Sequence, residues 1–328
     1  MDVPEAELVW VATDDDHHVV LHHRANPGRP AVVLCHGISS NSRFWDLAPD
    51  RSLAEALWTA GYDVWNLDLR GHGAARRGPE GKPQAPGWSV DDYGTSDLPA
   101  VFAAVRAASG QGELHYVGHS MGGMVLAVYL ASHPDPGLAS AVVVGSPLDF
   151  RDLDPLVATL FAMAPVGRAF GALPTPAGAR VLAVTRRDTI GRLDEILHNP
   201  ENVDRRTEAL MLRTVVSPLW RGEVSQFRPM GKDVEFRGAA GGVPYREALA
   251  EVTVPMLFVA GRADHLVSPD RVWTYFEAVG SPDKQFVVAS VANGMHGDYG
   301  HLDLGCGDHA ADDVFPLIVS WLGTHPPR

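Results

Sequence analysis

Glu113-Leu114-His115-Tyr116-Val117-Gly118-His119-Ser120-Met121-Gly122 joins an apolar, strand-like run to a helix-forming one, Met124 to Leu130. At its centre is a Gly-x-Ser-x-Gly pattern in a strand-turn-helix setting, where a serine hydroxyl is lifted off a sheet as a nucleophile. The glycines two before and two after Ser120 are needed because side chains there would collide on so sharp a turn.

Further parts of such a site follow in the chain. The apolar strand Ala31-Val32-Val33-Leu34-Cys35 ends in His36-Gly37-Ile38, and the strand Val254 to Ala260 ends in Gly261-Arg262-Ala263-Asp264. Near the C-terminus stands Tyr299-Gly300-His301-Leu302-Asp303-Leu304. On these residues the chain resembles the α/β-hydrolases from about residue 8 to residue 322, in which serine, acid and histidine come in this order. His36-Gly37 with Ser39-Ser40-Asn41, the run Asp63 to Asp68, and Gly300-His301-Leu302-Asp303 are similar to acid-lipase and polyhydroxyalkanoate-synthase-like branches. Gly118-His119-Ser120-Met121-Gly122-Gly123 is similar to monoacylglycerol lipases.

The resemblance implies an α/β fold with a mostly parallel central sheet, helices on both faces and an inserted, mainly helical lid. Residues 1–147 and 251–328 form the expected core and residues 148–250 the expected lid. Helix-like stretches run from Leu156 to Met163, Val203 to Val216 and Pro244 to Val252, separated by Pro/Gly-rich loops. Within the core, residues 7–12 and 17–24 read as strands, the second as a polar edge strand. Residues 51–60 and 95–108 read as helices, and residues 284–289 as the last strand before a final helix over residues 310–322.

The composition is that of an ordinary globular protein, 328 residues with 45% hydrophobic and 20% charged. A formal net charge of −13 argues against a nucleic-acid or anionic-membrane partner, since the field of the whole molecule repels polyanions. Cys35 and Cys306, the only cysteines, are too few for a disulfide framework and read as unpaired small hydrophobes. No stretch is apolar enough to span a bilayer, and the segment Met1 to Glu7 lacks the basic and apolar parts of a signal peptide, so the expectation is a cytoplasmic enzyme. His17, His18, His22 and His23 share strand faces in pairs, but no Cys or Glu completes a metal-ligand set.

Ser120 needs a base within hydrogen-bond reach and a third group to orient it. His301 is the expected base, with His296 as competitor; Asp264 is the expected acid, with Asp149 as rival. By resemblance the backbone N–H groups of Ile38 and Met121 form the oxyanion hole, the latter aided by its helix dipole. The side chains of His119 and Met121 read as packing, His36 as support for the oxyanion loop and His72 as structural. Phe44, Trp45, Trp88 and Trp220 are aromatic residues near the site that either line an acyl pocket or pack in core and lid. The expected activity is serine carboxylester hydrolysis through an acyl-enzyme on Ser120, on a small-molecule ester with an apolar acyl group. Acyl transfer to an alcohol or thiol is the alternative, although the synthases carry Cys where this chain has Ser120. This chemistry requires neither a metal nor an organic cofactor.

Overall fold

Five strands of the sheet are buried along their length, as parallel strands covered on both faces are. They are β3 (Ala31–Cys35), β4 (Asp63–Asp68), β5 (Leu114–His119), β6 (Leu138–Val144, with one half-buried residue) and β7 (Met256–Gly261). With β1 (Glu7–Ala12), β2 (His18–Arg24) and β8 (Lys284–Ala289) they make one eight-stranded sheet in the order β1-β2-β4-β3-β5-β6-β7-β8. The pairs from β4 to β8 are parallel, and β2 runs antiparallel to both its neighbours. The computed structural model describes residues 3–133, 136–150, 172–173, 175–185, 195–227, 235–242 and 244–328.

Alternate residues of each strand point to opposite faces, so the sheet divides the core in two. Val33, Trp65, Tyr116, Val143 and Phe258 join helices Leu98–Ser109, Met121–Ser132 and Pro269–Ala278 on one face. Val32, Val64, Val117, Val142 and Leu257 meet helices Leu53–Thr59 and Ala310–Thr324 on the other. Local signals set several helix ends: Ser52 accepts from the Glu55 N–H at the start of the first helix, and Gly110 ends its helix at φ +73°. The helix after Ser120 is buried from Met121 to Leu130 and shows no polar stripe, as expected of a helix enclosed on all sides.

The reading of β2 as an edge strand is corrected. β1 takes the edge, and β2 lies between β1 and β4, where His22 and His23 bond the carboxylates of Asp68 and Asp63 at 2.9 and 2.8 Å. The polar residues of β2 did not mark an edge: His22 and His23 are half-buried and their partners lie on the neighbouring strand.

Of the segment 148–250, the stretch Leu156 to Met163 lies outside the described residues. The described parts include helices Thr175–Thr185, Arg205–Thr214, Arg221–Phe227 and Tyr245–Ala248. They reach the core through particular bonds: the Asn41 side-chain amide donates to the carbonyls of Thr214 and Val215 at 3.0 and 2.8 Å, and the Ser217 N–H donates to Ser39 O at 2.8 Å. Among the described residues no helix is long and apolar enough to cross a membrane.

Candidate active site

Ser120 sits between β5 and the helix Met121–Ser132 at φ 52°, ψ −117°, in a region that non-glycine residues rarely adopt. Holding a serine there costs on the order of 1–3 kcal/mol, and the surrounding packing keeps it in place. A Cβ on Gly118 would come within 2.7 Å of Gly122 C, and one on Gly122 within 2.7 Å of Cys35 O. Both glycines are therefore required by close backbone approach, which brings the turn against the end of β3. A Cβ on Gly37 would lie 3.0 Å from Ser120 Cβ, so the loop carrying Ile38 runs directly beside the serine. Among the described residues neither the Ile38 nor the Met121 amide has a protein acceptor.

Ser120 Oγ lies 2.9 Å from His301 Nε2, and His301 Nδ1 lies 2.7 Å from Asp264 Oδ2. The other carboxylate oxygen, Asp264 Oδ1, accepts from the N–H groups of Leu266 and Val267 at 2.9 and 2.6 Å. These bonds fix which face of the carboxylate meets the imidazole. With Nδ1–H donating to Asp264, Nε2 is the free lone pair that can take the Ser120 proton. The three side chains are buried, Ser120 retaining 7% exposure, so a charge developing among them is little screened by water.

The alternatives, His296 and Asp149, make other contacts. His296 is exposed, bonds Asp313 Oδ1 at 2.9 Å and stacks on His309, and its carboxylate partner raises its pKa. Asp149 is buried and pairs its backbone with Glu235, while the ring nitrogen it would serve is taken by Asp264.

The histidines around the site are structural in geometry. His36 donates from Nδ1 to Gly37 O at 2.8 Å and accepts the Leu69 N–H on Nε2 at 3.3 Å, which ties the Gly37-Ile38 loop to the end of β4. Burial, with His72 nearby, lowers its pKa to about 3, so the ring stays neutral. His119 stacks on Phe44 and donates from Nε2 to the backbone carbonyl of His301 at 3.1 Å; burial holds its pKa well below the usual range. His72 lies 3.0 Å from Ser40 O and 2.9 Å from Glu223 Oε1, and Tyr93 also donates to Glu223 Oε1, at 2.7 Å.

Two residues in this shell, Glu223 and Asp303, were given no role in the reading of the sequence. Glu223 carries no sequence signal, since its partners His72, Tyr93 and Trp220 are brought to it by folding. Asp303 stands inside the family-like Gly-His-Leu-Asp phrase and accepts the Gly300 N–H at 2.9 Å. Phe44 and Trp45 are fully buried, Trp45 donating to Cys35 O, so they pack the core behind the site. Trp220 donates to Gly71 O and leans on Trp88. Both cysteines are buried free thiols, with burial pushing the Cys35 thiol up to about 12. Among the described residues no three His, Cys, Asp or Glu side chains gather as a metal site.

Residues 30–293 match the family model described as alpha/beta hydrolase fold. The chain is 33% identical over 153 residues to human "Lipase member K", an alignment covering 44% of this chain and 37% of that protein. It is 37% identical over 118 residues to human "Gastric triacylglycerol lipase", covering 35% and 29%. The chain thus spans about a third of the length of the curated relatives it matches. A thermophilic esterase from Thermogutta terrifontis superposes with TM-score 0.65 at 18% identity, over 98% of this chain and 100% of that one. A monoacylglycerol lipase from Paleococcus ferrophilus does so with TM-score 0.61 at 20% identity, over 93% and 99%. At these identities the structural likeness speaks for the fold alone.

Proposed function

The chain belongs to the α/β-hydrolase family, and from that membership and its site we propose that it is a serine carboxylester hydrolase acting through an acyl-enzyme on Ser120. The observation that carries the reading is the continuous relay from Ser120 Oγ to His301 Nε2 at 2.9 Å and from His301 Nδ1 to Asp264 Oδ2 at 2.7 Å.

In this reading Ser120 Oγ attacks the ester carbonyl while His301 takes its proton, and Asp264 steadies the imidazolium that forms. The negative oxygen meets the Ile38 and Met121 amides, each such donor lowering the barrier by about 3–4 kcal/mol. His301 returns the proton to the departing alcohol, and water, activated by the same histidine, then releases the acid. Segment 148–250 acts as the lid, with residues 1–147 and 251–328 as the core, and an apolar acyl ester binds between them. The lipase names of the curated relatives favour such a substrate.

The test is hydrolysis of p-nitrophenyl esters from acetate to palmitate by wild type and Ser120→Ala. A chain-length optimum that the substitution lowers by roughly 10⁴-fold or more supports the reading. Retained hydrolysis in Ser120→Ala overturns it, and turnover only when an added alcohol or thiol takes the acyl group converts it to acyl transfer.

A further inference from the structure

The backbone on both sides of His301 is tied down, in part by residues 197–202, a hundred positions earlier. The Leu302 N–H donates to Leu197 O at 2.8 Å, and His119 donates to His301 O at 3.1 Å. The Gly300 N–H donates to Asp303 Oδ2 at 2.9 Å. The peptide units 299–300 and 301–302, on either side of the one that carries the His301 N–H, are thus fixed by three different partners.

Asp303 is the hub of this arrangement. Its side chain is fully buried; Oδ2 also accepts from Asn202 Nδ2 at 2.7 Å, and Oδ1 accepts the Asn199 N–H at 3.2 Å. Asn199 and Asn202 each donate as well to Asp298 O, at 2.7 and 2.8 Å. The contact is close along its length: a Cβ on Gly300 would lie 2.5 Å from Asn199 N, and one on Gly297 would lie 2.2 Å from Asn202 Oδ1. Burial pushes the Asp303 carboxyl up to about 6, against the Asn202, Gly300 and Asn199 donors that favour its ionised form. A buried carboxylate met only by amide donors is costly to hold as an anion, and it endures where those donors are rigidly arranged.

We propose that Asp303, with Asn199 and Asn202, is a positioning residue that locks the loop Asp298 to Asp303 so that His301 Nε2 stays aimed at Ser120 Oγ. The segment 197–202 is then part of the proton-transfer machinery as well as a wall beside it. The inference rests on the reading of Ser120 and His301 as nucleophile and base.

Two readouts report on His301 itself: the rate at which a fluorophosphonate labels Ser120, and the downfield proton resonance of the His301 Nδ1–H held by Asp264. Both are compared in wild type, Asp303→Ala, Asp303→Asn and Asn202→Ala, well below each protein's melting temperature. Displacing a reacting group by about 1 Å costs on the order of 100-fold in rate, which is the loss expected for Asp303→Ala together with loss of the resonance. Asp303→Asn keeps one acceptor oxygen and is expected to fall between it and wild type. Folded variants that label at the wild-type rate with the resonance intact overturn the proposal. If Asp303→Ala does not fold, Asn202→Ala decides, with slower labelling supporting the proposal and wild-type labelling overturning it. Ester hydrolysis by wild type is read separately: a wild type that labels but cleaves no ester overturns the carboxylesterase reading, and the labelling ratios still decide Asp303. If wild type does not label, the resonance decides.

Discussion

Asp264 divides its carboxylate between two tasks: Oδ2 faces His301 Nδ1 at 2.7 Å, and Oδ1 is held by the Leu266 and Val267 amides. An asparagine there must offer its NH₂ either to those two backbone donors or to His301. The first choice sets donor against donor, and the second forces the imidazole into the tautomer whose Nε2 cannot take the serine proton. Asp264→Asn is expected to lower kcat by about 10³- to 10⁴-fold while the fold persists, measured as ester turnover alongside the circular dichroism melt.

Gly261 ends β7 under the loop that carries His301. A Cβ there would lie 2.4 Å from Tyr299 O and 2.8 Å from Gly300 O, both backbone atoms. Gly261→Ala must shift that loop, and His301 with it. The expected result is a loss of kcat of about 100-fold, with a stability cost of about 1–3 kcal/mol from overpacking. Steady-state kinetics on a short ester, where KM should hold, together with a urea titration, checks both.

Three histidines stay neutral inside the fold: His36 with a pKa lowered to about 3, His115 lowered to about 4 and His119 well below its usual range, all chiefly by burial. An unfolded histidine binds its proton near pH 6.5, whereas the folded one does not, so the stability each confers is full above 6.5 and is lost as pH falls. Asp97 and Asp303, raised to about 6 by burial, act in the opposite sense and gain stability below that pH. His115 is the residue to isolate, since it bonds Ser140 at 2.9 Å, well away from Ser120. His115→Gln should flatten the fall in stability between pH 6.5 and 4 by about 1.4 kcal/mol per unit. Urea unfolding at pH 7.5 and pH 5.5 measures it, and parallel curves for the two proteins would sink the idea.

Asn41 ties the loop after Ile38 to segment 148–250 with one side chain: its NH₂ reaches Thr214 O, Val215 O and Ser217 Oγ, and its Oδ1 accepts the Arg43 N–H. Removing it leaves buried carbonyls unpaired, at about 1–3 kcal/mol. Asn41→Ala should lower the melting temperature and speed amide hydrogen exchange in helix Arg205–Thr214. Unchanged exchange there would mean that this helix is held by other contacts.

What could be read from the chain alone followed from local physics. Strands buried on both faces need apolar runs, and a serine on a strand-to-helix turn needs small neighbours, so β3, β5, β7 and the turn at Ser120 were visible in consecutive residues. The acid and the base were narrowed to Asp264 and His301 by order and resemblance, with Asp149 and His296 left open. Which of them stand beside Ser120 is a matter of folding, because the 2.9 Å and 2.7 Å contacts join residues 181 and 37 positions apart. The same holds for the inner place of β2, for Glu223 beneath His72 and for the grip of Asn199 and Asn202 on Asp303. Hydrophobic period and turn chemistry are properties of neighbours in sequence and were legible there; the partner of a buried polar side chain is a property of neighbours in space, and the tertiary structure alone decided it.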